Sequence, residues 1–237
     1  MNNQFFFNTL QEIKIFLLNY FNTSYQTIPV CDEFHNLHGS LKDNHYFMES
    51  FAWQSNKVNY CRLTYLTEDN GKIEMLNLAM YPNPTFKSQM FVTDFVFLNK
   101  QLRVGVIDIM PVFDDILLPS QESLYQESIK ISPVYERKLE WSFKFLSPYA
   151  CLATQTSQDS FKNLYALWYK YFSLYQTHIY NSVATNTLEE EASKRFQNDY
   201  NKEHILVEQN RNPLKHFFGE VLMKNYFENF LFKNLFH

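Results

Sequence analysis

The stretch from Leu76 to Pro111 reads LNLAMYPNPTFKSQMFVTDFVFLNKQLRVGVIDIMP: three runs apolar at odd and even positions alike, joined by the turn-rich PNPTF and NKQ. Within 90–98, Met90, Val92, Val96 and Leu98 fall on one face, and Phe91, Phe95 and Phe97 on the other. Successive side chains of a strand point to opposite faces, so a sheet built from such strands must be covered on both. Short connections join antiparallel neighbours. Two earlier runs, linked by SNK and EDNGK, extend the pattern. The expectation is a meander of at least five strands near 47–54, 58–67, 73–81, 88–98 and 102–110.

The cover must then be helical. Residues 4–21 place Phe6, Leu10, Ile13, Phe16, Leu17 and Tyr20 on one helical stripe, and a polar loop is expected from there to about residue 46. After Pro111, helices are predicted over 121–129, 133–145, 160–182, 186–204 and 213–232. The segment SVATNTLEEEASKRF offers Thr and Asn caps and acidic first-turn residues, which suit a helix N-terminus. No repeat or low-complexity linker divides the 237 residues. The chain is therefore read as a single domain, 1–237, an α/β/α sandwich whose central antiparallel sheet is flanked by helices.

Each apolar run nevertheless carries one polar residue: Asn77, Asp94 and Asp108. Asn77 shares its strand face with Ile73, Met75 and Ala79, and Asp94 with Met90, Val92, Val96 and Leu98. A carboxyl in such company loses hydration and its pKa rises, which is what a proton-donating site requires; a buried acid satisfied by hydrogen bonds fits the same pattern. Asp108 depends on the NKQ hairpin. Pairing Asn99 with Leu102 sends it to the face opposite Asp94, and a one-residue change of register puts both acids together. A structural role for Asp108, fixing the turn at MPVFDD, is the favoured reading.

Composition excludes several classes. A net charge of −4 gives no field that would draw the chain to nucleic acid. Cys31, Cys61 and Cys151 are far apart and odd in number, without the spacing for zinc or an iron–sulfur cluster. Electrons for any redox chemistry must then come from outside, and a reducing compartment is expected. No run is apolar enough to span a membrane, and the first residues resemble neither a signal nor a transit peptide. Aromatic residues are plentiful, with 24 Phe and 16 Tyr; beyond coding bias, aromatic walls suit a flat conjugated ligand.

The segment MLNLAMYPNPTFKSQMFVTDFVF…VGVIDIMP resembles the ferredoxin-dependent bilin reductases, whose pattern is a strand ending in Pro, a strand with a central Asp, and a strand ending D-x-x-P. The tail NPLKHFFGEVLMKNYFENFLF is similar to their C-terminal signature. The resemblance implies a linear tetrapyrrole, biliverdin, as substrate, reduced by single electrons from reduced [2Fe–2S] ferredoxin with no bound cofactor and with side chains as proton sources. It implies Asp94 as the central acid and Asn77 at the strand position that holds His or Asn in the family. The family's second acid, usually within D-P-x-x-G, is replaced here by EQNRN; ungapped counting back from Gly219 puts Glu208 there, while a shorter loop would put Asn210 or Asn212 there.

Trp53, Arg62, Leu63 and Thr64 fit the branch that reduces the C15=C16 methine bridge of biliverdin IXα to 15,16-dihydrobiliverdin in phycobilin biosynthesis. IPVCDEF near residue 30 resembles instead the branch that carries that product on to phycoerythrobilin. A bilin-binding chaperone or lyase is the alternative from another class, though it needs no buried acid. Arg62, Lys87 and Arg211 are candidates to pair the two propionates at the pocket mouth. A basic patch for acidic ferredoxin is expected among Arg137, Lys138, Arg211, Lys215, Lys224 and Lys233. The resemblance further implies a monomer in a plastid stroma or a cyanobacterial cytoplasm, with ferredoxin and the next bilin reductase in the pathway as expected partners.

Overall fold

The structure is a computed structural model that describes residues 4–113, 119–131, 144–154, 156, 158–211 and 213–236. Its centre is an antiparallel sheet of eight strands in the order β1-β3-β4-β5-β6-β7-β8, with β2 also paired to β3. The five expected strands are β3 (Asn44–Gln54), β4 (Val58–Glu68), β5 (Ile73–Pro82), β6 (Met90–Leu98) and β7 (Gln101–Met110). Three short strands lie outside the expected meander: β1 (Gln26–Ile28), β2 (Asn36–Leu41) and β8 (Cys151–Ala153). The first two occupy the stretch expected to be a polar loop. They are edge strands, exposed along much of their length, so the apolar alternation that marks a strand in sequence is weak there.

Both faces are covered, as the two-sided apolar pattern requires. On one side α1 (Gln4–Ser24) and α4 (Gln158–Asn181) bury Leu10, Ile13, Leu17 and Phe21, and Phe161, Trp168, Phe172 and Tyr175, against Leu76, Leu78, Phe91 and Phe95. On the other, α2 (Asp32–His35), α5 (Thr187–Arg211), α6 (Leu214–Phe218) and α7 (Glu220–Tyr226) pack with the C-terminal aromatics over Ala79, Tyr81, Met90 and Val92. The helix α3 (Pro119–Ile131) contacts α4 and β8. The sequence expectation for 133–145 falls almost wholly outside the described residues.

Two helix boundaries differ from expectation for identifiable reasons. Asn186 caps α5 by accepting from the Glu189 N–H at 3.0 Å, while Glu189 Oε2 accepts from the Asn186 N–H at 3.0 Å. From that firm start the helix runs to Arg211, seven residues beyond the predicted end. The predicted 213–232 helix is instead divided at Gly219, whose φ of +93° interrupts it. A π-helical turn at Phe227–Leu231 follows α7, closed by a 2.8 Å bond from the Phe232 N–H to the Phe227 carbonyl. Gly39 of β2 allows α6 to lie directly on the sheet, because a Cβ there would stand 2.3 Å from the Phe217 carbonyl oxygen.

The β6–β7 hairpin resolves the register. Leu98 pairs with Gln101 across Asn99 and Lys100, both at positive φ as a tight two-residue turn requires. Arg103 is then an extra residue: Phe97 pairs with Leu102, but Val96 pairs with Val104. That bulge sets Val106 opposite Asp94 and Asp108 opposite Val92, so both acids lie on the face toward α5.

Candidate active site

The polar strand residues prove to be neighbours. Ser50 of β3 pairs with Thr64 of β4, Thr64 with Asn77 of β5, and Asn77 with Asp94 of β6. Directly opposed residues share a face, so these four form one polar row across four strands. Arg62 lies on the same face between Ala52 and Ala79, whose short side chains leave room for its guanidinium. Its Nη1 donates to Asn77 Oδ1, and its guanidinium stands 5.1 Å from the Phe232 ring centre. Arg62 is 1% exposed, and no carboxylate pairs with it among the described residues. Its Nε also lacks a partner there. Holding a buried cation without a counter-ion is costly, so the row is built around an electrostatic tension.

Asp94 feels that tension from the other side. Burial raises its carboxyl from the usual 3.8 to about 6, while hydrogen bonding by Asn77 and the charge of Arg62 pull it back. Its Oδ1 has no hydrogen-bond partner among the described residues. A chain therefore runs from guanidinium to amide to carboxyl, with the Asn77 oxygen occupied by Arg62. Asp108, on the same face, is spent differently: Ser147 donates to it from its N–H at 2.7 Å and its Oγ at 2.5 Å, and Gln121 from its Nε2 at 3.3 Å. Burial lifts it to about 7. It ties β7 to Ser147 and α3. The turn after Pro111 is pinned by Gln89, whose Oε1 accepts from the Val112 and Phe113 N–H groups and whose Nε2 donates to the Phe113 carbonyl. This corrects the expectation that Asp108 fixes that turn; Asp114 and Asp115 lie outside the described residues.

Facing the row, α5 presents Tyr200, His204 and Glu208 at the four-residue spacing that places side chains on one stripe. The rings of Tyr200 and His204 are 3.9 Å apart, and His204 lies 5.1 Å from Phe232. Burial pushes the imidazole down to about 3, so it is neutral at physiological pH. Tyr226 of α7 reaches the row itself, its hydroxyl 2.9 Å from Ser50 Oγ and 2.8 Å from Thr64 Oγ1. The π-turn that follows sets Phe232 over Arg62, and its Phe230 carbonyl accepts from the Tyr60 hydroxyl at 3.0 Å.

Between row and helices lies a cavity of about 240 Å³, with Arg62, Thr64, Asn77 and Asp94 in its floor, apolar Met75, Val92, Val104 and Val106 beside them, and Tyr200, His204, Glu208 and Phe232 opposite. Grooves elsewhere are larger, about 490 Å³ beside Tyr25 and Lys57 and about 400 Å³ beside Lys87 and His178, but among the described residues neither is lined by a carboxylate. Asp94, Asn77, Arg62 and Glu208 thus come together in one cavity. Arg62 sits in its floor, not at its mouth, and Lys87 borders another groove, paired with Glu189 at 3.0 Å. The side chains of Asn210 and Arg211, and all of Asn212, lie outside the described residues. Ser50, Tyr200, His204, Tyr226 and Phe232 were not singled out from sequence as site residues, and Thr64 only as a branch marker. The four-residue spacing back from Glu208 would have found Tyr200 and His204, and the strand register would have found Ser50 and Thr64.

The cavity thus sets a half-buried acid, backed by an amide and a buried cation, against apolar walls, the setting in which a carboxyl holds its proton beside an apolar ligand. The family model for ferredoxin-dependent bilin reductases matches residues 18–233. The chain belongs to that family and is an oxidoreductase that draws its electrons from ferredoxin. It is 24% identical over 223 residues to the 15,16-dihydrobiliverdin:ferredoxin oxidoreductase of Prochlorococcus marinus (strain MIT 9515), covering 86% of this chain and 88% of that one. Its fold is similar to that of tomato phytochromobilin synthase, solved in complex with biliverdin, with a TM-score of 0.75, 18% identity, and 95% of this chain and 83% of that one covered.

Proposed function

We propose that the protein reduces biliverdin IXα at the C15=C16 methine bridge, taking up two electrons, one at a time from reduced [2Fe–2S] ferredoxin, and two protons to give 15,16-dihydrobiliverdin. The observation that carries this reading is Asp94: a carboxyl whose burial keeps its proton available near neutral pH, facing the cavity with one oxygen unpartnered among the described residues. Protonating the pigment raises its electron affinity, so the acid acts before the electron arrives. Asn77, its oxygen held by Arg62, keeps its amide N–H groups for Asp94 and the pigment. The remaining Arg62 donors suit an acceptor oxygen of the pigment, a propionate or a lactam. Glu208, across the cavity on α5, is the second carboxyl within reach of the same ligand.

The choice of bridge is supported by Trp53, Arg62, Leu63 and Thr64 and by the likeness to the Prochlorococcus enzyme. At about 240 Å³ the cavity is smaller than common ligand pockets, so a plate as large as a bilin needs side chains at its margin to give way. Such chemistry belongs where reduced ferredoxin is generated, a plastid stroma or a cyanobacterial cytoplasm. Anaerobic turnover with biliverdin and a ferredoxin-regenerating system, with products separated by chromatography and identified by absorption, tests the reading. We expect 15,16-dihydrobiliverdin. Accumulation of phycoerythrobilin would assign the later step, and tight binding without reduction would leave a pigment carrier.

A further inference from the structure

The hydroxyl cluster at the end of the polar row has no part in the reaction as described so far. Tyr226 Oη lies 2.9 Å from Ser50 Oγ and 2.8 Å from Thr64 Oγ1, all within hydrogen-bond reach. All three residues are essentially inaccessible, at 0%, 0% and 1% for Tyr226, Ser50 and Thr64. The two ends of the chain open on different spaces. Thr64 and Tyr226 line the cavity that holds Asp94. Ser50 lines a separate pocket of about 240 Å³ on the β1–β3 side, with Asn22, Thr27 and His35. No other described contact between those pockets is needed: three hydroxyls span the gap.

We propose that Ser50, Tyr226 and Thr64 conduct protons from this second pocket into the floor of the bilin cavity. The proposal rests on the reductase reading, since it is the two-electron reduction that consumes two protons. Once the margin of the outer pocket gives way enough for water to touch the buried Ser50, a proton from that water joins Ser50 Oγ as the Ser50 proton passes to Tyr226 Oη. The Tyr226 proton passes to Thr64 Oγ1, and the Thr64 proton leaves for the pigment or for water in the cavity. Each oxygen gains one proton and loses one, and the hydroxyls then rotate back to accept the next. Hydroxyls can serve as both donor and acceptor, which an amide such as Asn77 does not do at comparable cost. Burial keeps Tyr226 protonated, and the Arg62 charge nearby disfavours a lodged excess proton, so the exchange is concerted.

The delivery point matters. Thr64 and Asp94 are separated by two strand spacings, about 10 Å, with Asn77 between them. Thr64 therefore meets a flat ligand at a different point from Asp94, and the two protons of one turnover can enter from two sources.

The test uses anaerobic single turnover of the full chain with biliverdin and reduced ferredoxin, followed by stopped-flow absorption in H₂O and D₂O. Wild type is compared with Tyr226→Phe and with Ser50→Ala, which breaks the chain but leaves the Tyr226–Thr64 contact. Melting curves and pigment titration report folding and binding separately. We expect both variants to bind pigment within about twofold of wild type and to take up the first electron normally. The protonation step that follows should slow by about tenfold or more, with a changed solvent isotope effect on that step. A variant that folds and binds but completes turnover at the wild-type rate, with the wild-type isotope effect, overturns the proposal. Loss of binding or stability alone, without an isotope effect, also overturns it and leaves the cluster as a structural pin. If Tyr226→Phe does not fold, Ser50→Ala decides. Wild type that binds but never reduces biliverdin would instead overturn the reductase reading, and the conduction with it.

Discussion

Replacing Asp94 by Asn keeps the side chain's size and one acceptor but removes both the charge and the transferable proton. The native protein holds this carboxyl at about 6 against an ordinary 3.8. Native and unfolded forms bind the proton equally well below the lower value. As pH rises between the two, the unfolded chain releases its proton first and the native state loses stability relative to it. At about 1.4 kcal/mol per pKa unit, an ionised Asp94 costs the fold on the order of 3 kcal/mol once the pH exceeds the native value. A neutral Asn escapes that cost if the Arg62–Asn77 contact is kept. For a chain of this size, Asp94→Asn should raise Tm by about 6–12 °C at pH 8. Near pH 4, where the native carboxyl is protonated, the gain should vanish. Reduction of biliverdin should fall by about 10²–10⁴, while pigment binding, dominated by apolar burial, persists. Melting curves at both pH values, pigment titration and single turnover provide the check. A variant less stable than wild type at pH 8 would mean that the carboxylate is a net stabiliser. Near-normal turnover would make Asp94 an ordinary core residue.

Glu74, on the opposite face, is 3% exposed and accepts from the Tyr65 hydroxyl at 2.6 Å; burial raises it to about 8. Its protonated form favours folding at low pH, and that contribution is lost as pH rises through about 8. Glu74→Gln should therefore flatten the fall in Tm between about pH 4.5 and pH 8, and an unchanged pH profile would refute this. Gly39→Ala should destabilise by about 1–3 kcal/mol, because the new Cβ meets the Phe217 backbone and Phe218 Cδ1 at 2.3 and 2.6 Å; a denaturant midpoint equal to wild type would show that α6 shifts freely. Turnover should weaken as salt rises. Of the expected docking lysines, Lys224 on α7 is exposed while Lys215 and Lys233 are half-buried, so Lys224→Glu should raise KM for ferredoxin with little effect on pigment binding; Arg137 and Lys138 lie outside the described residues. A rate indifferent to ionic strength would count against a charged docking surface.

The layered architecture was legible because it follows from a local rule: strands apolar on both faces need two covers, and their turns were short. Asp94 and Asn77 were legible for the same reason, as polar residues in runs that should have none. Thr64 and Ser50 were not, since hydroxyl residues are ordinary in strands and acquire meaning only from register across three hairpins. Arg62 was expected at the pocket mouth because Arg is usually exposed; its alanine neighbours and the later Phe232 instead make it a buried residue of the floor. The breaks at Gly219 and at the π-turn arise from packing α6 and α7 on the sheet, and helical periodicity through 213–232 conceals both.

The extra residue at Arg103 turns the inward face of β7 into a matter of parity. With it, Val104, Val106 and Met110 meet the cavity and Asp108 finds Ser147 and Gln121. A regular ladder that kept Arg103 and paired it with Val96 would exchange this set for Gly105, Ile107 and Ile109, and would drive Asp108 into the layer of Phe91 and Phe95 without those donors. That buried carboxyl would cost several kcal/mol. Deleting Arg103 itself would leave the pairs beyond it in place, whereas a single insertion or deletion between Val104 and Asp108 would turn that carboxyl over unless a second bulge absorbed it.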